Sequence, residues 1–331
     1  MAALRYLTLP SNPHALLPQF PSYAFAVRVQ TVLQQELHAW KTRAPSARGP
    51  PPPPSILCFT PAPTYTVGRR QAEPLSESEV VRLRSPLFVP TARASEKWIA
   101  NDSMGGPGKT TFFLPTVAHV PRGGLTTYHG PGQVVIWPVI DLRSPLHAHL
   151  SVRDYACLLE KTTIATLQRL WGLAAFRTNN PGVWVRSRDS PGRGGDAGGG
   201  ERKIAALGVH LRRYITGLGV AINYSTPCIG PAETNPWARI VPCGLRDRRV
   251  TSVRGELLNS DSTSQDDDDN TALERLGETW RAEFQRRLKL REDADSMVEF
   301  DFAQAIEDVG AQNQDREDLQ VKARPISDLA R

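Results

Sequence analysis

Apolar positions recur at helical spacing in three stretches of the chain, and they alternate or form short runs in several others. Between Tyr23 and Trp40, the residues Phe25, Val29, Val32, Leu33 and Leu37 fall toward one side of a helix. A second helix is expected to start after the N-capping Ser151 and to run to about Leu170, with Val152, Tyr155, Leu158, Leu159 and Thr162 facing inward. A third, from Thr271 to Leu290, carries Leu273, Leu276, Trp280, Phe284 and Leu288 along one face. Strands are expected around Arg5 to Thr8, and from Ser55 to Phe59 and Thr64 to Val67 on either side of a proline turn. Another from Gln133 to Ile140 is apolar and β-branched, hence buried. Gly182 to Arg186 follows, then Lys203 to Arg212 and Ile215 to Tyr224 joined by a tight turn, with a further strand from Val250 to Val253. Strands and helices mix without strict alternation. This predicts an α/β (α+β) fold, a mixed β-sheet flanked by helices, and argues against a doubly wound nucleotide fold.

The remaining stretches break these patterns. Five consecutive prolines lie near 47–55, residues 187–200 read SRDSPGRGGDAGGG, and residues 259–270 read NSDSTSQDDDDN. None can bury enough apolar surface to offset the entropy of ordering it, so all three are expected to be solvated loops inserted into one catalytic unit spanning 1–291. The stretch 73–120 lacks sustained periodicity and reads as an elaborated connection with a short strand between Thr110 and Leu114. Residues 292–331 are acidic and weakly patterned, and are expected to form a mobile tail without a catalytic role.

Length and composition narrow the function classes. The chain has 331 residues, 40% of them hydrophobic and 22% charged, with 25 glycines and 28 prolines, which suits a globular body rich in turns. The longest apolar runs, such as Tyr23 to Val27, are five residues long. A membrane span needs roughly 20. Residues 1–41 have no apolar core of a secretory signal, and with only Arg5 and Arg28 before Lys41 a mitochondrial presequence is not evident. The net charge of +6 hides an asymmetry: residues 1–255 hold 30 basic and 14 acidic side chains, whereas residues 256–331 hold 10 and 20. A basic body attracts acidic partners, and composition does not choose among nucleic acid, anionic lipid and acidic protein. No nucleic-acid-binding motif is recognisable. The four cysteines, 58, 157, 228 and 243, lack CxxC spacing and read as free thiols. No zinc signature is present, and His147 and His149 have no third ligand nearby.

Four segments carry candidate chemistry. Gly105 to Thr110 reads GGPGKT, but Ser103 stands where a phosphate loop needs glycine, so it is a turn. Arg122 to Gln133 reads RGGLTTYHGPGQ; its glycines and proline force tight turns that let a ligand approach the main chain, and Arg122, Tyr128 and His129 supply polar groups. A glycine-rich hairpin would itself explain the same residues. In the third segment a period of two puts Lys203, Ala205, Leu207 and Val209 on one side of a strand, and Gly217, Gly219 and Ala221 on one face of the next. Small residues weaken a strand unless something must come close, and a slot for a slender ligand is the simplest compensation. Lys203 also reads as an ordinary strand-end charge. In the fourth segment, Pro242 and Gly244 predict a turn at Cys243 that can expose its sulfur, unlike Cys58 in an apolar strand and Cys157 in a helix, which suit buried thiols.

With these residues in view, the sequence resembles the lipoyl(octanoyl) transferase family. RGGLTTYHGPGQ followed by Trp137-Pro138 is similar to the family signature, and the resemblance continues through PTYTVGRR (63–70), NNPGVWV (179–185), KIAALGVHLRR (203–213), GVAIN (219–223) and IVPCGL (240–245). It covers roughly residues 4–290. What the resemblance implies is transfer of an octanoyl group from octanoyl-acyl carrier protein to a lysine of lipoyl domains, those of 2-oxoacid dehydrogenase complexes and of the glycine cleavage H protein, without cofactor or metal. It implies a fold of the lipoate/biotin protein ligase type and a mitochondrial location. Cys243 matches the family nucleophile and Lys203 the lysine that assists it. The substrate-contacting segments carry over to Arg122, Gly123, Gly124, Leu125, Thr126, Thr127, Tyr128 and His129, to Ala206, Leu207 and Gly208, and to Gly219, Val220 and Ala221. Two positions differ: Leu218 stands where the family often has His, and Trp137 where Tyr is usual. The competing reading is an ATP-dependent lipoate-protein ligase of the same fold.

Overall fold

The computed structural model describes residues 4–11, 19–71, 73–89, 111–186, 200–241, 249–258, 269–290, 320–322 and 324–325. In chain order the elements are β1 (Arg5–Thr8), β2 (Gln19–Pro21), α1 (Tyr23–Thr42), β3 (Ser55–Phe59), β4 (Thr64–Val67), α2 (Glu77–Arg84), β5 (Leu87–Phe88), β6 (Thr111–Phe113), β7 (Thr116–His119), β8 (Thr127–His129) and β9 (Gln133–Val139). They continue with α3 (Val152–Trp171), β10 (Phe176–Arg177), β11 (Val183–Arg186), β12 (Glu201–Arg212), β13 (Ile215–Asn223), β14 (Arg249–Val250), α4 (Val253–Leu258), α5 (Asp269–Leu288), β15 (Gln320–Lys322) and β16 (Arg324–Pro325).

The main sheet has the order β1-β3-β9-β13-β12-β11-β10, with β14 added against β12. Pairing is antiparallel except for β1 with β3 and β12 with β14. The sheet is therefore mixed, as the unordered succession of elements predicts. A smaller sheet, β7-β4-β8, stands beside it and carries the glycine-rich segment.

Strand alternation divides the main sheet between two cores. Ile56, Cys58, Val134, Ile136, Val220 and Ile222 point to one side, where α3 and α5 cover them with Tyr155, Leu159, Leu167, Leu276, Trp280 and Phe284. Leu57, Phe59, Val135, Trp137, Val139 and Ala221 point to the other, against Tyr23, Phe25, Ala26, Val29, Leu33 and Leu37 of α1. Helix starts follow the side chains that satisfy their first amides: Ser22 accepts from the Phe25 amide, and Ser151 with Asp154 forms a reciprocal capping box.

Several expectations change in detail. Val152 sits in the first turn of α3 and is 51% exposed rather than inward-facing. The strand expected from Val250 to Val253 ends at Val250, and Val253 begins α4. The connection 73–120 contains α2, capped by a Ser76–Glu79 box, and β7, which pairs in parallel with β4. Neither element has enough length to show a period. Residues 320–322 pair with β2 and 324–325 with β6, so this part of the acidic segment is joined to the body by backbone hydrogen bonds. Most of the two loops at 187–200 and 259–270, the GGPGKT turn and Cys243 lie outside the described residues.

Candidate active site

The glycine-rich segment is organised by one guanidinium. Arg122 is buried, and its two terminal nitrogens donate to the Thr66 carbonyl (2.8 Å), the Thr66 hydroxyl (2.7 Å), and the carbonyls of Gly123 (3.0 Å) and Leu125 (2.9 Å). It thus ties the turn to β4. Gly68 permits that approach, because a Cβ there would lie 2.7 Å from the same guanidinium. Gly124 has φ +88, a conformation that favours glycine. Gly123 is exposed and Leu125 half-buried, while Thr126 and Thr127 are buried. Thr127 pairs with Thr66 and so points toward Arg122, and its buried hydroxyl has no hydrogen-bond partner among the described residues.

His129 is also buried, with its ring stacked on Tyr23 at 5.5 Å. Desolvation, aided by the nearby positive charge of Arg122, lowers its pKa to about 3, so the imidazole is neutral at physiological pH. Its tautomer follows from a hydrogen-bond chain whose direction is set at the far end. The Thr251 carbonyl only accepts, so Asn223 Nδ2 donates to it (2.9 Å); Asn223 Oδ1 then accepts from Gln133 Nε2 (2.8 Å), leaving Gln133 Oε1 to accept from His129 Nδ1 (3.3 Å). The unprotonated Nε2 remains as an acceptor.

That chain ends beside Lys203. The Thr251 amide donates to the Lys203 carbonyl at 2.9 Å, and Lys203 pairs with Val250 of β14 on one side and with Trp184 of β11 on the other. A β-bulge decides where its side chain goes. Val183 pairs with Ala205 while its neighbour Trp184 pairs with Lys203, which leaves Ile204 as the extra residue. Val183 and Val185 belong to the α3/α5 core, so Trp184 and Lys203 face the opposite side, together with Ala206 and Gly208. The strict period of two, which grouped Lys203 with Ala205, Leu207 and Val209, fails at this bulge. Lys203 is 7% exposed, with its ammonium over the Trp184 ring at 4.6 Å and its carbon stem against Gly182, whose φ is +119.

The expected contact residues separate into two groups. Ala206, Gly208, Gly219 and Ala221 belong to the face of Lys203 and α1; Leu207 and Val220, directly paired, point to the α3/α5 core. The Tyr128 ring also turns away, into a cluster with Tyr65 (5.3 Å) and Trp237 (5.8 Å), and burial pushes its phenol pKa up. Protein atoms fill much of the space that the glycines create. A Cβ on Gly208 would meet the Arg122 stem at 2.6 Å, one on Gly217 would meet the amide of Gln34 at 2.5 Å, and one on Gly219 would run into the Ile136 carbonyl of β9. Leu218, with φ 59, donates its amide to Gln30 Oε1 at 2.6 Å, so Gln30 supplies the polar group at that position. Tyr23, Trp184 and Asn223 are part of the site without having been singled out. Tyr23 carries no local signal, whereas Trp184 lies within the quoted NNPGVWV run and Asn223 closes the quoted GVAIN run.

Two of the described thiols, Cys58 and Cys228, are poorly suited to nucleophilic work, and Cys157 lies on α3, which covers the other face of the main sheet. Burial pushes Cys58 up to about 11 and Cys228 up to about 12. The segment that holds Cys243 leads into β14, directly beside Lys203.

Residues 115–268 of this chain match the model of the lipoyl protein ligase A/B catalytic domain. The chain is 33% identical over 214 residues to a probable octanoyltransferase of Schizosaccharomyces pombe, covering 65% of this chain and 73% of that protein. It is 34% identical to a mitochondrial octanoyl-(acyl-carrier-protein):protein N-octanoyltransferase of Xenopus tropicalis, over 71% of this chain and 74% of the relative. An octanoyltransferase of Xanthomonas campestris is 37% identical, over 48% of this chain and 62% of that protein. Among solved structures, a bipartite lipoate protein ligase from Thermoplasma acidophilum superposes with a TM-score of 0.48 at 12% identity, over 94% of this chain and 92% of that one. The chain belongs to the octanoyltransferase family of acyltransferases.

Proposed function

We propose that this enzyme transfers an octanoyl group from acyl carrier protein to a lysine of lipoyl domains, including that of the glycine cleavage H protein, through a thioester on Cys243. The observation that carries this reading is the bulge that turns buried Lys203 onto the face of Arg122 and Gly208, beside the strand that follows the Cys243 segment. An unperturbed thiol, with pKa about 8.5, is only a few per cent thiolate at neutral pH, and a neighbouring ammonium favours the anion. In the first step the Cys243 sulfur attacks the carrier thioester, forming an enzyme thioester and releasing the carrier thiol. In the second the acceptor amine attacks that carbonyl, forming an amide and expelling the Cys243 thiolate, while Lys203, left neutral by protonating the departing carrier sulfur in the first step, takes the proton from the amine. Exchange between thioesters is nearly balanced, so the acyl group stays activated for the amine. The same reading treats residues 1–291 as the catalytic unit, 292–331 as an acidic appendage, and the mitochondrion, named for the Xenopus relative, as the location.

Intact-protein mass spectrometry after mixing with octanoyl carrier protein tests this. Wild type gains one octanoyl group, Cys243→Ser gains none, and Lys203→Ala gains it at least about 100-fold more slowly. An adduct that persists in Cys243→Ser assigns the nucleophile elsewhere. Activity that requires ATP and survives Cys243→Ala identifies a ligase instead.

A further inference from the structure

A row of arginines borders the glycine-rich turn outside the residues assigned above. Arg69 and Arg70 form a turn directly after β4, and that turn lies against the site: the Arg69 amide donates to the Arg122 carbonyl (3.0 Å) and the Arg70 amide to the Gly124 carbonyl (3.1 Å). Across from them, alternation along β12 carries the face of Ala206 and Gly208 outward through His210 to Arg212, and Arg213 follows in the hairpin turn with φ 50. Arg69 and Arg212 both lower the pKa of His210, and Arg212 and Arg213 both lower that of His38 on α1. Arg69 and Arg212 thus share His210 as a neighbour and Arg212 and Arg213 share His38, and with Arg70 beside Arg69 in the turn the four make a band from the glycine-rich turn toward α1. All four are exposed, and none forms an ion pair among the described residues. The nearby Asp141 is buried and held by Lys41 at 2.8 Å. A band of like charge without local compensation repels itself, and an anionic partner removes that cost.

We propose that Arg69, Arg70, Arg212 and Arg213 are the docking surface for an acidic acyl carrier protein, with Arg69 and Arg70 receiving the phosphodiester of its prosthetic arm. The proposal rests on the octanoyl-transfer reading above and adds where the donor sits. Reach favours the donor over the acceptor. At about 3.3 Å per residue, Gly208 is on the order of 15 Å from Lys203 along β12, and Arg212 on the order of 25 to 30 Å. The phosphate and sulfur of an extended phosphopantetheine are thirteen bonds apart, roughly 15 Å at the spacing of an extended chain. With its sulfur beside Lys203, its phosphate reaches Arg69 and Arg70, and the carrier body covers Arg212 and Arg213. A lysine stem spans only about 6 Å on the same scale. A lipoyl domain presenting its lysine to the same carbonyl must bring its folded body to within about 6 Å of the reaction centre, whereas the carrier, held off by its arm, meets the arginines from outside.

Steady-state kinetics of the full chain test the assignment with Arg69→Glu/Arg70→Glu and Arg212→Glu/Arg213→Glu, and with the corresponding Gln pairs as charge-neutral controls. The donors are octanoyl carrier protein and octanoyl-pantetheine, which has neither phosphate nor protein; the acceptor is a lipoyl domain. Each Glu pair raises KM for the carrier about tenfold or more, each Gln pair raises it less, and added salt weakens carrier binding to wild type more steeply than to the variants. Turnover with octanoyl-pantetheine and KM for the lipoyl domain stay within about twofold. An unchanged carrier KM in both Glu pairs overturns the proposal, as does a rise in the lipoyl-domain KM alone, which would assign the band to the acceptor. A wild type that accepts octanoyl from neither donor overturns the functional reading and this proposal with it. Normal wild-type transfer with indifferent variants overturns the docking surface alone.

Discussion

The two faces of the main sheet use the same strands for opposite ends. On the α3/α5 face, Trp280, Phe284, Leu159 and Val220 close an apolar core in which Trp280 stacks on Phe284 at 5.1 Å and satisfies its ring N–H at Thr163 (3.0 Å). On the α1 face, Arg122, His129, Gln133, Gln30 and Lys203 are buried in place of part of such a core, with Arg122 reaching into the space left at Gly208. Apolar contact tolerates small shifts, because dispersion and desolvation are non-directional. Buried polar groups do not, since each lost hydrogen bond leaves a desolvated atom unpaired. Damage to the first face should therefore cost stability and spare specificity, and damage to the second should cost both.

The largest test of that contrast is Trp280→Ala. Loss of the ring and its stacking lowers the unfolding free energy by about 3 to 5 kcal/mol, read from the denaturant midpoint, while KM for both substrates stays within about twofold. A matching rise in KM would show that the faces are not separable. Gly219→Ala acts on the other side: the new methyl collides with the Ile136 carbonyl and approaches Pro138 Cδ at 3.0 Å, so β13 must move from β9. That costs about 1 to 3 kcal/mol and lowers kcat, because β13 is paired with the strand bearing Gly208 and Lys203.

His129 sharpens the comparison through pH. Its pKa is about 3 when folded against 6.5 in the unfolded chain, so the unfolded state binds the proton first. The contribution to stability is present above about pH 6.5 and is lost as pH falls toward 3. From pH 7 to pH 5 the loss is about 2 kcal/mol for this group. Urea midpoints at the two pH values should differ less in His129→Asn than in wild type; equal differences would show that the imidazole is not held neutral. The smallest effect belongs to Ser151→Ala, which removes the α3 cap and lowers stability by about 1 kcal/mol with unchanged kcat and KM.

How much of this was legible beforehand depends on the range over which each interaction acts. Both long helices of the apolar face and the strands flanking the proline turn announce themselves through periodic apolar positions. Helix α2 is eight residues long and shows only a cap, and β7 is held by β4 rather than by its own pattern. Glycine-rich segments signalled close approach, and the groups that approach Gly208, Gly217 and Gly219 are Arg122, Gln34 and the neighbouring strand β9. Tyr128 and His129, adjacent in one motif, point to opposite sides of β8, which follows from alternation once β8 is known to be a strand.

Residue order alone determined which side chains could meet: alternation and helical spacing are local consequences of backbone geometry, and so are the cap residues and the turn-forming glycines. Tertiary structure decided which of them do meet. Lys203 reaches the face of Arg122 because Ile204 is an extra residue opposite β11, and the His129 tautomer depends on a carbonyl at Thr251, more than 100 positions away in the chain. Both are outcomes of pairing between distant strands, and register of that kind is set by the packing of whole faces, not by the residues that the bulge displaces.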